Sequence, residues 1–227
     1  MIKENILEVR ERIDEACRRS GRKPEEVTLI AVSKTKTVSM MEEAYQAGCL
    51  DFGENKAQEI VRKLPEMPKD SRFHMIGHLQ RNKVRSIIDK VCLIHSVDSV
   101  RLAEQIETEA ERIGRTMEVL LEVNVAKEES KYGFFPEDVE AALREISHFP
   151  HIAVKGLMTI APFVENPEEN RIYFKKLRQL SVDMQSKTID NVSMSVLSMG
   201  MTGDFEVAVE EGATLVRVGT GIFGARI

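Results

Sequence analysis

Apolar residues Ile6, Val9, Ile13 and Cys17 recur at helical spacing near the start of the chain, which predicts an amphipathic helix over residues 2–19. Ser20 and Gly21 end it and Pro24 follows. The pattern then changes. Short apolar, β-branched runs at 27–33, 50–53, 73–77, 91–97, 117–124, 152–160, 192–198 and 214–218 predict eight strands. Longer amphipathic stretches at 39–47, 55–64, 99–113, 136–147, 167–184 and 204–211 predict helices between them.

Near-continuous apolar strands alternating with helices signal a parallel sheet covered by helices. Eight such units fit an α/β fold closed into a (β/α)8 TIM-type barrel, with an open doubly wound sheet as the alternative. No linker, repeat or low-complexity tract divides the chain, so one barrel domain is expected over 1–227, with helix 1–19 outside it.

The composition, 42% hydrophobic and 30% charged over 227 residues, is that of an ordinary globular protein. A net charge of −5 leaves no basic field to gather nucleic acid or anionic lipid, so an anionic ligand has to be held locally. Charge begins at Lys3 and no run reaches the roughly 18 apolar residues of a membrane span, so a cytoplasmic protein is expected. Cys17, Cys49 and Cys92 are widely spaced and read as core fillers, not a disulfide framework or zinc knuckle.

Polar and glycine residues gather at the C-terminal strand ends, where loops of such a barrel carry chemistry. Lys34 closes the most apolar strand. Desolvation there, and crowding by Lys36, would favour a neutral amine able to form imines with carbonyls. The segment from Ser198 to Gly203, followed by a helix, and Gly219-Thr220-Gly221 occupy the loops after strands seven and eight, the recurrent phosphate site of this barrel. Gly219 to Gly224 also fits G-x-G-x-x-G. Only three residues follow, too few for the helix and second strand of a dinucleotide site. His74 and His78 have metal-ligand spacing, but a strand end and turn separate them and no metal is expected. The run from Lys127 to Lys131 reads as a solvated loop.

Ala31-Val-Ser-Lys-Thr-Lys36, Phe52-Gly-Glu-Asn55, His74-Met-Ile-Gly-His-Leu-Gln-Arg-Asn-Lys83, Ser130-Lys-Tyr-Gly133, Gly156-Leu-Met-Thr159, Leu197-Ser-Met-Gly-Met201 and Val216-Arg-Val-Gly-Thr-Gly-Ile-Phe-Gly224 together resemble the pyridoxal phosphate homeostasis protein family. The resemblance runs over essentially the whole chain. It implies a barrel related to the N-terminal domain of alanine racemase, holding pyridoxal 5′-phosphate (PLP) as a Schiff base on Lys34. It matches Ser198, the backbone around Gly200, Gly219 and Thr220 to phosphate binding, and Arg217 to the arginine that approaches the pyridine nitrogen. It leaves Asn55 as a candidate for framing the ring, and Lys131 as a second amine for loading or release.

That family reading implies a carrier that sequesters PLP and supplies PLP-dependent apo-enzymes, with no catalytic residue, and we expect a monomer. A permanent cation at the ring nitrogen disfavours the pyridinium and makes the ring a poorer electron sink. The alternatives are a PLP-dependent amino-acid racemase and, less favoured, a phosphosugar enzyme using Lys34 as an imine. Racemisation needs an acid and a base on opposite faces, and Tyr132 is the one plausible partner for Lys34. Alanine racemases also carry a second domain, for which this sequence leaves no room beyond Thr220.

Overall fold

The computed structural model describes residues 1–225. Helix α1 (Ile2–Ser20) leads into eight strands: β1 (Thr28–Val32), β2 (Asp51–Glu54), β3 (Arg72–Met75), β4 (Leu93–Val97), β5 (Met117–Glu122), β6 (Ile152–Met158), β7 (Val192–Met201) and β8 (Leu215–Val218). The helices between and after them are α2 (Val38–Gln46), α3 (Ala57–Lys63), α4 (Val84–Ile87), α5 (Val100–Arg112), α6 (Val139–Ile146), α7 (Arg171–Ser186), α8 (Phe205–Glu210) and α9 (Thr220–Phe223). The strands form a closed parallel barrel in chain order. Pairing of β1 with β8, from Thr28↔Leu215 to Ala31↔Val218, closes it and excludes the open sheet.

Three elements depart from the sequence expectation. Helices α4 and α9 span four residues each, too short to show a helical period. Strand β7 runs to Met201, past its expected end at residue 198, because its ladder with β8 shifts register between Ser198 and Met201 and resumes. Ser198 and Gly200 therefore lie within a strand, not in the loop beyond it. Outside the barrel, α1 packs on α8, α9 and α2. Its Arg12 bonds Glu206 of α8 at 2.6 Å and its Asn5 donates to the Ile222 carbonyl of α9.

Strand side chains alternate between the helix layer and the barrel interior. Inside, Leu93, Leu120 and Met158 form an apolar plug flanked by Val196 and Leu215. Two positions further along the same strands stand His95, Glu122, Ser198 and Arg217, all buried. A polar layer thus lies immediately above an apolar one, toward the end where Lys34 emerges.

Gly156 lies where β6 changes register against both neighbours. A Cβ there would stand 1.8 Å from the Val196 carbonyl oxygen, so β7 can approach only a glycine. Gly156→Ala is expected to cost about 3 kcal/mol or more in urea unfolding, as overpacking against backbone does. Stability within 0.5 kcal/mol or so of wild type would show that the strands part freely there.

Candidate functional site

The turn after β1 is clamped on both sides of Lys34. The Ser33 hydroxyl donates to Glu54 Oε1 at 2.7 Å, and its carbonyl accepts from Lys63 Nζ at 2.8 Å. Lys63 also meets Glu54 Oε1 at 2.7 Å and Glu59 Oε1 at 3.1 Å, while Glu59 Oε1 accepts from the Thr35 amide at 2.9 Å. Thr35 takes a left-handed φ of 64°, which costs energy in a non-glycine residue and persists only where the surroundings fix it. The Lys63 side chain is 1% exposed, so the clamp is a buried ion pair between α3 and the end of β2. Burial pushes the Glu54 carboxyl up, against the bonds from Lys63 and Ser33 that pull it down. Lys34 itself is half-buried at the centre of this turn. Lys36 lies two residues further along the turn. Its ammonium donates to the carbonyls of Phe223, Gly224 and Ala225, capping α9.

On β8, beside β1, the Arg217 guanidinium is buried in the polar layer. It donates through Nη1 to the Ser198 hydroxyl at 2.5 Å and through Nη2 to the Thr159 carbonyl at 2.8 Å. Burial lowers its pKa to about 10, so it remains charged at neutral pH. The Ser198 hydroxyl also lies 2.8 Å from His95 Nδ1 and is fully buried. Through these two bonds Ser198 anchors Arg217 inside the barrel. Gly200 is needed for packing: a Cβ there would meet the Ala208 Cβ at 2.6 Å and the Phe205 Cα at 2.9 Å.

A hydroxyl does reach the strand-eight loop, from Thr202. Its Oγ1 accepts from the Gly219 and Gly221 amides, each at 3.3 Å. Gly219 and Thr220 open α9, whose first amides have no partner within the helix. A Cβ on Gly219 would stand 3.4 Å from the Val32 Cβ, so this loop lies directly against the end of the strand that carries Lys34. Lys34, Arg217, Gly219 and Thr220 thereby share one seam.

Asn55 follows β2 on the other flank of β1, where its backbone packs against Gly77; a Cβ on Gly77 would fall 2.5 Å from the Asn55 carbonyl oxygen. Lys131 lies across the mouth, held by Glu128 at 2.6 Å and directed to the Ile160 carbonyl at 3.4 Å. The neighbouring Tyr132 ring stacks on His78, with centroids 3.8 Å apart, and His78 is held by Asp98 at 3.0 Å. His74 points into the barrel, away from His78, and bonds His95. Among the described residues no group of His, Cys, Asp and Glu is arranged to hold a metal ion.

Thr202 lies inside the segment expected to bind phosphate, whereas Lys63, His95 and Glu122 belong to none of the expected site residues. Burial and the nearby Asp98 push the Glu122 carboxyl up to about 7, while Arg217 pulls it down. The assembled donors are an amine at a fixed turn, glycine amides beside a threonine hydroxyl, and a buried guanidinium. That set suits a small aromatic carbonyl compound carrying a phosphate.

The alanine racemase N-terminal domain family matches residues 5–227. A pyridoxal phosphate homeostasis protein of Aquifex aeolicus is 44% identical, over 98% of this chain and 97% of its own. One of Pseudomonas aeruginosa is 40% identical, over 99% of this chain and 96% of its own. The structure of PipY from Synechococcus elongatus with PLP bound has a TM-score of 0.85 and 36% identity, covering 99% of this chain and 100% of that one.

Two expectations follow from the buried charges. Lys63→Met strands the Glu54 carboxylate and should cost about 3–5 kcal/mol, with Glu54→Gln/Lys63→Met losing less than Lys63→Met alone. Strict additivity in that cycle would show that the pair is uncoupled. Glu122 binds its proton more tightly folded than unfolded, so its contribution to stability falls as pH rises from 4.5 through about 7. Glu122→Gln should therefore gain about 3 kcal/mol relative to wild type between pH 4 and pH 8 in urea unfolding. An unchanged difference between the two proteins would place the Glu122 carboxyl in the ordinary range.

Proposed function

Because the chain belongs to the pyridoxal phosphate homeostasis proteins, built on the alanine racemase N-terminal domain, we propose that it binds PLP and acts as a cytoplasmic carrier supplying PLP-dependent apo-enzymes. The observation that carries this reading is the seam between β1 and β8, where the Lys34 turn, the Gly219 loop and buried Arg217 converge. Among the described residues no helix is long and apolar enough to cross a membrane.

The residues fit the cofactor by chemistry. When bound, PLP supplies an aldehyde that amines capture and a conjugated ring that can draw electrons from the captured carbon. Lys34 offers the amine, on a turn whose clamp limits how far it can swing. The Thr220 amide and the proton of the Thr202 hydroxyl offer donors for the phosphate, on a loop that Gly219 sets against β1. Arg217 offers a fixed cation to the ring nitrogen, and a guanidinium there keeps that nitrogen from holding a proton. Retention without strong activation is the chemistry of a carrier.

The racemase alternative needs a second acid or base on the substrate face opposite Lys34. Tyr45 is bonded to Asp70 on the outer layer, and Tyr173 lies on α7 beneath the Lys176 ammonium. Tyr132 is stacked on His78.

Protein loaded with PLP should show a near-visible band that borohydride bleaches, leaving the cofactor attached to residue 34. Lys34→Ala should lose the band and the attachment. A normal band in Lys34→Ala would move the amine elsewhere, and failure of wild type to take up PLP would sink the reading. Alanine isomerisation at ordinary enzyme rates, lost in Tyr132→Phe, would replace the carrier with an enzyme.

A further inference from the structure

Arg217 is one end of a hydrogen-bonded line that crosses the barrel interior. Ser198 joins it to His95, whose Nε2 lies 3.0 Å from His74 Nδ1. His74 Nε2 lies 2.9 Å from Asp51 Oδ1, and Asp51 is clasped by both Nε and Nη2 of Arg72. Asp51 and Arg72 open β2 and β3, so the line begins at the end of the barrel opposite Lys34.

Asp51 is a carboxylate and only accepts, so His74 Nε2–H donates to it. With one proton on each imidazole, His74 Nδ1 then accepts from His95 Nε2–H, and His95 Nδ1 accepts the Ser198 hydroxyl proton. Ser198 Oγ in turn accepts from Arg217, since a guanidinium only donates. Burial would raise the Asp51 carboxyl, but the bonds from Arg72 and His74 outweigh it and hold it at about 2. Burial keeps His95 neutral, as this order requires. Even Cys92 agrees: its Sγ lies 3.3 Å from His74 Nε2, but its S–H has the Phe73 carbonyl at 3.2 Å to donate to.

We propose that His95 is a positioning residue for the cofactor site, acting through Ser198 to hold the Arg217 guanidinium in one orientation, with His74 and Asp51 fixing which His95 nitrogen accepts. Neither His95 nor His74 reaches a ligand in this scheme. Their role is to make Ser198 an acceptor toward Arg217 by taking its proton. The cofactor arm of the test rests on the PLP reading above, whereas the tautomer arm does not.

The first arm is nitrogen-15 NMR of histidine side chains in the wild-type protein without added PLP. It should show His95 protonated at Nε2 and bare at Nδ1, and Nδ1–H on His95 would overturn the proposal. The second arm compares PLP dissociation constants of His95→Asn and His95→Leu by absorption titration. Asparagine places an oxygen where Nδ1 stood and keeps the acceptor for Ser198; leucine removes it. His95→Asn should bind within about twofold of wild type, and His95→Leu about tenfold more weakly, the loss expected of one charge-assisted hydrogen bond. Equal affinities in the two variants would overturn the proposal, even if both are destabilised in urea. Wild-type protein that binds no PLP would instead refute the carrier reading, with the tautomers still deciding the relay.

Discussion

One permanent positive charge buried inside a parallel barrel sets the terms for everything around it. A guanidinium cannot shed its proton at physiological pH, and taking it out of water is tolerable only when its donors are met. Arg217 has the Ser198 hydroxyl and the Thr159 carbonyl, both on buried residues. The polar layer of His95, Glu122 and Ser198 exists on strands whose neighbouring interior positions are Leu93, Leu120 and Val196. Below it the apolar plug fills the barrel, broken by the histidine line alone among the contacts described.

Closure of the barrel turns that charge into a site. Lys34 and Arg217 are far apart in sequence and come together because β8 pairs with β1. The two ends of the seam are held by different means. Buried Lys63 and its carboxylates lock the Lys34 turn from the helix layer, and the histidine line locks Arg217 from the interior. Between them the Gly219 loop stays open, tied to Thr202 by its glycine amides. Rigid ends and an accessible middle suit a protein that must hold a reactive aldehyde and still give it up.

Much of this was legible in the chain because buried parallel strands write apolar runs. All eight strands, and the helices long enough to show a period, were readable. Lys34, Arg217 and Gly219 stood out as polar or glycine residues at strand ends. What escaped notice depended on contacts distant in sequence. Gly200 looked like a loop residue because the register shift beside it hides the continuation of β7 past Ser198. His95 sits in Leu-Ile-His-Ser-Val, where only the parity set by Leu93 marks it as interior. Lys63 ends a helix and reads as a solvated lysine until Glu54 and Glu59 are seen to enclose it. The bonds from Lys36 to the carbonyls that end α9 likewise span the chain and leave no local signal.

The account depends most on an Arg217 cation that leaves the cofactor ring unprotonated. The direct measurement is the nitrogen-15 chemical shift of ring-labelled PLP bound to the protein. An unprotonated pyridine nitrogen at neutral pH is the expected result. A protonated pyridinium would contradict the account, because the ring would then be an effective electron sink and the site would have the electronics of an enzyme.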